Sequence, residues 1–561
     1  MKGLFAALLF IFAPVCHAQE TAAPAEGKKV VPKVDEAIPA SVKGLPPPTF
    51  RAFTHGIRIA VTAATDTAQQ HVTQGLNHLH GGWEFEAMRH FAAAMREDPD
   101  CLLAHWGMVM CMLAPSPETD AARAAAILRM AALVDSGAGT ELERGYAYGL
   151  IKYKTDGPAA AANAFRKVAE RFPNDLQAAI FASLFGRGGY DADGQPTPDE
   201  SAEHQRLEAL VAKHPDDPLP LNALLFVRAE GPDPAASLPL ARQLCQLAPD
   251  YPPYFHLLGH YAWRAGQHNE AVPAFARASA YYSKWMKENK ATFTDCPEWL
   301  KSEAYRAVAL HSKGDFKSAY AAAQEIAATP LDRERPNSPG MRFLLWDAKT
   351  LPARMILTNT PGGPSADVAA LPNPQSLTSI HPKSVAYVWI DALRFCLEAR
   401  KQINAGDHDG ARKTIAALTT HGELMAKVRS IANSHGEAAS WLRAFRALEV
   451  LASELRGAAA LIGPKDRRDL AYNWFASAAD RQRTASMLFP PLVLTPMARR
   501  LGAYYSSLGK TGDAIIAYER ALAKFPGDLS TLTDLVTLYR KSGDHAKAAE
   551  MEKRIAALKE L

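Results

Sequence analysis

Apolar and small residues along this chain recur at the three- and four-residue spacing of a helix face, and no stretch alternates as a half-buried strand would. The pattern is sharpest from Leu501 to Leu561, LGAYYSSLGKTGDAIIAYERALAKFPGDLSTLTDLVTLYRKSGDHAKAAEMEKRIAALKEL. There Tyr505 recurs as Tyr539, Gly509 as Gly543 and Ala514 as Ala548, a step of 34 each time. A glycine ends a first helix and a small alanine lets a second lie close against it. Tyr505 and Tyr518 are large enough to fill the groove between them, and Pro526 forbids further helix. The pattern predicts helical hairpins in tandem.

The same offsets appear earlier. Gly75, Gly82, Ala87, Phe91, Ala94 and Pro99 predict a first hairpin, and Gly149, Gly157, Ala161, Phe165 and Pro173 another. Pro215 and Pro249 stand 34 apart, and Gly259, Gly266, Ala271, Phe275 and Ala278 make a clean repeat whose second helix runs on through YYSKWMKENK. Gly314 and Ala319 mark a weaker unit. Gly406 and Ala411 keep the five-residue step of Gly509 and Ala514, and two long helices are expected over Glu437–Arg456 and Lys465–Leu488. GRGGYDADGQPTP, from Gly186 to Pro198, reads as a loop.

These residues carry a resemblance. Leu501, Gly502, Tyr505, Ala514, Tyr518, Ala521 and Pro526 fall in the pattern of the tetratricopeptide repeat family. The run from Gln74 to Gly107, with QGL, Ala87, Phe91, Pro99, Cys101 and a Trp106-Gly107 pair, resembles an exported subgroup of it, although Trp83 and Phe85 stand around Glu84 where that subgroup carries Asn-His. The resemblance implies an all-α solenoid of tetratricopeptide-like hairpins wound as a right-handed superhelix, with a concave face lined by first helices where peptides bind. Such repeats serve many unrelated tasks, so the resemblance speaks to architecture more than to activity.

The expected organisation is a leader over 1–18, a Pro/Ala-rich extended linker over 19–50 and an N-terminal arm over 51–328. A Pro-rich connection over 329–382, with one helix near Met341–Leu357, then leads to a C-terminal arm over 383–561 that ends in the repeats of 501–561. The leader, MKGLFAALLFIFAPVCHA, has a basic start, a short apolar run and a small residue at Ala18. It reads as a cleaved signal peptide and implies a periplasmic or secreted protein with no membrane span in the mature chain.

Composition adds little. The 561 residues include 63 basic and 59 acidic side chains, a near balance that favours no charged partner, and no basic block with interleaved aromatics points to nucleic acid. Beyond Cys16 there remain Cys101, Cys111, Cys245, Cys296 and Cys396, an odd and scattered set without CxxC. Buried thiols rather than a disulfide framework are expected.

Candidate chemistry centres on histidine. In YPPYFHLLGHYAWRAG, His256 and His260 share one helix face and Trp263 and Arg264 continue it. By the family's groove positions, these four are the expected contacts for a protein or peptide partner. Arg264 is able to grip a carboxylate, but solvation at the surface is its more ordinary role. The competing reading is a metal- or redox-dependent protein framed around His256 and His260, although no third acidic ligand is near in sequence.

The first hairpin carries His71, His78, His80 and His90. His78 is expected to pack between helices in place of an aromatic residue, because a metal there would need two more ligands to converge. No GxSxG, SxxK, P-loop or HExxH occurs, so neither catalysis nor a cofactor is expected. Arg499, Ser506, Thr533 and Thr537 do not rebuild the family's clamp for a paired-carboxylate peptide tail. The chain reads as an exported binding scaffold, with pairing into a homodimer as an open alternative.

Overall fold

The computed structural model describes residues 31–559 except 54, 58, 192–193, 361–362, 365–366, 374–376 and 378–382, so the leader and the first part of the linker lie outside the described residues. The protein is an all-α stack of hairpins. Among the described residues the only β pairing is two isolated bridges, Tyr190 with Pro196 and Ser486 with Phe489. No described helix is long and apolar enough to cross a membrane.

The chain divides into two compact units. Among the described residues, one comprises those up to Gly231 with 239–254 and 284–295; the other comprises 232–238, 255–283 and those from Cys296 on. The first unit holds α1 (Asp66–His80), α2 (Glu84–Glu97), α3 (Leu102–Cys111), α4 (Asp120–Asp135), α5 (Glu141–Asp156), α6 (Pro158–Arg171), α7 (Leu176–Phe185), α8 (Pro198–Lys213) and α9 (Pro218–Arg228). Residues of α10 (Pro234–Leu247), α11 (Pro252–Arg264) and α12 (His268–Glu288) are shared between the two. The second unit continues with α13 (Pro297–Lys313), α14 (Phe316–Ala327), α15 (Pro339–Phe343), α16 (Leu351–Ile356), α17 (Ala386–Asn404), α18 (His408–Lys427) and α19 (Arg429–Ser434). It ends with α20 (Ala438–Ile462), α21 (Leu470–Arg481), α22 (Met497–Ser507), α23 (Thr511–Lys524), α24 (Leu529–Ser542) and α25 (His545–Lys559).

Helices adjacent in sequence pack together, α1 on α2, α5 on α6, α13 on α14, α22 on α23 and α24 on α25 among them. A single device recurs in four hairpins. A glycine in the first helix meets an aromatic ring sixteen residues later: Gly75 with Phe91, Gly149 with Phe165, Gly259 with Phe275 and Gly502 with Tyr518. A Cβ at Gly75 would lie 2.7 Å from the Phe91 ring, so only glycine permits the approach. Phe91 also presses against Gly107 in α3, so one ring seats two helices. Burying such a ring stabilises the fold by about 2–3 kcal/mol. Turns follow from glycines in the left-handed region, as at Gly82 (φ 79°), Gly314 (φ 94°) and Gly543 (φ 82°).

Two stretches depart from expectation, after Lys33 and before Pro490, whereas the helix expected near Met341–Leu357 is present. Residues from Lys33 on are packed, not an extended linker: turns at Val34–Ala37 and Ala40–Lys43 bury Ala37, Ile38 and Val42 against the first unit, and Arg129 donates to the Pro32 carbonyl. Apolar side chains spaced among the prolines give this segment something to bury. The connection after Thr329 is helical from Pro339 to Ile356, interrupted by a π turn at Leu344–Ala348 with Trp346 and Asp347 buried. The helix expected over Lys465–Leu488 is shorter, Leu470–Arg481, with the residues before Pro490 irregular.

Candidate functional site: a buried histidine cluster in the first hairpin

Thr65 caps α1, its side chain accepting from the Ala68 amide at 3.1 Å. The helix stops at Gly81-Gly82, where Gly82 adopts a positive φ and the Trp83 amide donates back to the His78 carbonyl at 2.9 Å. The chain then reverses into α2. Glu86 and His90, four residues apart on α2, share the face turned to α1, and the reversal brings His78 opposite them.

One ligand-type atom from each of His78, Glu86 and His90 lies within 4.8 Å of the others, and all three side chains are buried. His71 joins from two turns earlier on α1, its Nδ1 3.0 Å from His90 Nδ1. The His78 and His90 rings stack at 5.4 Å with an angle of 14°. The Tyr251 hydroxyl sits 3.2 Å from His78 Nδ1. Tyr251 also lies so close to Gly81 that any side chain there would collide with it.

Charge in the cluster is balanced. Arg89 donates to Glu86 Oε2 at 2.6 Å, to Asn289 Oδ1 at 2.8 Å and to the Pro46 carbonyl at 2.9 Å, and lies over the Trp285 ring at 5.4 Å. Burial outweighs the pull of Arg89 and leaves the Glu86 pKa raised above its ordinary value. Burial, helped by the Arg51 and Arg89 guanidinium groups, pushes His78 down to about 3. Burial pushes His90 to about 2, with His78, His71 and Arg89 adding and the Thr49 backbone opposing. Both imidazoles are neutral in ordinary buffers, the form that offers a lone pair. His90 Nε2 is buried and has no hydrogen-bond partner among the described residues.

The second unit is different. His256, read from the sequence as a groove contact, has both ring nitrogens engaged, Nδ1 with Ser302 Oγ at 2.9 Å and Nε2 with the Met487 carbonyl at 3.1 Å. His260 is fully buried beside Tyr305, at 5.7 Å between ring centres. Trp263 donates to Ser312 Oγ at 3.0 Å, and Arg264 is only 7% exposed. These four lie along one helix, where His260, Trp263 and Arg264 are buried and His256 is half-buried. Arg264 in particular is not the solvated surface cation that its type and position imply. Among the described residues the one group of three ligand-type side chains is in the first hairpin, not at His256 and His260. Sequence reading missed Glu86 and His90 as partners of His78. The signal was present: an E-x-x-x-H step on α2, facing a histidine just before a two-glycine turn.

With the glycine-aromatic closure repeated at a sixteen-residue step in both units, the class of hairpin is decided.

The hairpins are tetratricopeptide-like.

No protein-family model matches the chain, and no curated protein matches it. Solved structures that align with it include the human IFIT1 dimer with PPP-AAAA, at 13% identity and a TM-score of 0.31, covering 88% of this chain and 91% of that one. Another is the Cut9–Hcn1 hetero-tetramer of the APC/C, at 12% identity and a TM-score of 0.24, covering 75% of this chain and 94% of that one. The assignment of the tetratricopeptide-like hairpins rests on the packing of this chain itself.

Proposed function

We propose that the chain is an exported, non-enzymatic scaffold that holds a protein or peptide partner on an exposed aromatic face. Tandem hairpins suit such work, because each buries one stripe on its neighbours and leaves the rest of its surface for binding. The observation that carries the reading is on α21. Ala471, Phe475 and Ala478 are buried, with Phe475 against Gly457, while Leu470, Tyr472 and Trp474 face outward. Trp474 is 37% exposed beneath the Arg456 guanidinium at 4.9 Å, and Tyr472 lies 6.1 Å from Tyr505. Aromatic and arginine side chains left at the surface are the types that dominate recognition of peptides and proteins. Contact is proposed on this face rather than along His256, His260, Trp263 and Arg264, of which the last three are buried and His256 is half-buried with both ring nitrogens engaged.

Export is part of the same reading, with cleavage after Ala18 and Gln19 as the new first residue. N-terminal sequencing of the chain recovered from its native compartment tests that directly. For the partner, cross-linked pull-down from the exported fraction at micromolar bait compares the unaltered chain with Trp474→Ala. A protein recovered by the first and lost with the second supports the reading. Recovery of nothing, or recovery indifferent to Trp474, overturns it. Sedimentation in the same buffers shows whether the captured partner is a second copy of this chain.

A further inference from the structure

We propose that His78, Glu86 and His90 form a binding site for a divalent transition-metal cation of the zinc class. Two imidazoles and one carboxylate are a ligand set that takes Zn²⁺ with a position left open. The three are supplied by one hairpin, whose α1–α2 turn is fixed by Gly81 and Gly82, so the site is complete within the first unit.

The surroundings match what such ligands need. A metal-bound histidine is oriented by a hydrogen bond through its other ring nitrogen. His78 is held that way through Nδ1 by the Tyr251 hydroxyl, and His90 through Nδ1 by His71. Nε2 is the nitrogen that these contacts leave on each ring. In His90 that atom is buried and unpartnered, a state that costs free energy unless something fills it. Glu86 is anchored through Oε2 to Arg89, with the Trp285 indole also beside the carboxylate. Thus all three side chains are held by a neighbour through one atom. The ligand atoms stand up to 4.8 Å apart, wider than around a bound ion, so binding draws them inward by side-chain rotation. Arg89 beside Glu86 makes the carboxylate a bridge between two cations. That moderates affinity and disfavours a second ion.

The test uses the chain from Gln19, stripped with chelator and returned to chelator-free buffer. Calorimetric titration with Zn²⁺ is expected to show one equivalent bound, and Co²⁺ to give the visible absorption of a four-coordinate site. His90→Gln and Glu86→Gln should each weaken zinc binding by about tenfold or more, while the exposed His545→Gln leaves it unchanged. Circular dichroism reports whether the variants fold, and the cobalt spectrum needs no variant at all. Absence of both zinc uptake and a cobalt spectrum overturns the proposal. So does binding that survives His90→Gln and Glu86→Gln in folded protein.

Discussion

Both units bury histidines at helical spacing, yet the two groups are built on opposite terms. In the second unit the rings are held by local structure: His256 bonds Ser302 and the Met487 carbonyl, and His268 Nε2 bonds the Gly527 carbonyl at 3.0 Å while its Nδ1 is buried without a partner among the described residues. In the first unit the rings turn to one another and to a carboxylate, and His90 keeps a nitrogen with nothing to bond. A four-residue step is common to both and separates nothing. What separates them is whether a neighbouring helix answers with further ligands or with backbone carbonyls.

The largest effect should be one that both units share. Phe91→Ala in the first and Phe275→Ala in the second each remove a fully buried ring from against a glycine. Each should cost about 3–5 kcal/mol by urea denaturation. A loss below about 1 kcal/mol in either would mean that the hairpins of that unit are closed some other way.

The next contrast is charge. Arg89 and Glu86 form an ion pair buried in the first unit. Arg89→Met strands the carboxylate and should destabilise by about 3 kcal/mol, and adding Glu86→Gln should recover most of it. If the double variant is as unstable as the single, the two side chains do not act as a pair.

A smaller effect sharpens the comparison from the other side. Burial holds His256, His268 and His311 of the second unit down to about 4. Unfolded, they take up protons below about 6.5, so the unfolded chain binds more protons and stability falls as pH drops from there toward 4. At pH 5.5 the loss should be about 1 kcal/mol per histidine. Replacing His256 by Asn should flatten the slope by that share; an unchanged slope would show that the ring is not held neutral. Smallest of all, the five cysteines among the described residues are buried thiols, so a reducing agent should leave every thermal transition within about 0.5 kcal/mol of its place.

The hairpins were legible because their chemistry is local. Gly259 and Phe275, or Gly502 and Tyr518, can be paired by counting along one strand of text. Burial of Arg264 was not legible, since its type and its place at a helix end both argue for solvent. Nor was the packing of 33–43, where prolines suggest an open linker but Ala37, Ile38 and Val42 find a surface to cover. The histidine cluster was half visible. His78 stood out, but its partners lie on the returning helix, and a one-helix reading stops at the turn.

The ring of Phe91, caught between Gly75 and Gly107, sets a rule for how this protein tolerates changes in length. One residue inserted in α3 ahead of Gly107 would rotate the helix by about 100° and aim a side chain where only hydrogen now fits. Insertions and deletions should therefore survive in the Gly- and Pro-rich loop before α8, and within these helices only when they come as whole hairpins.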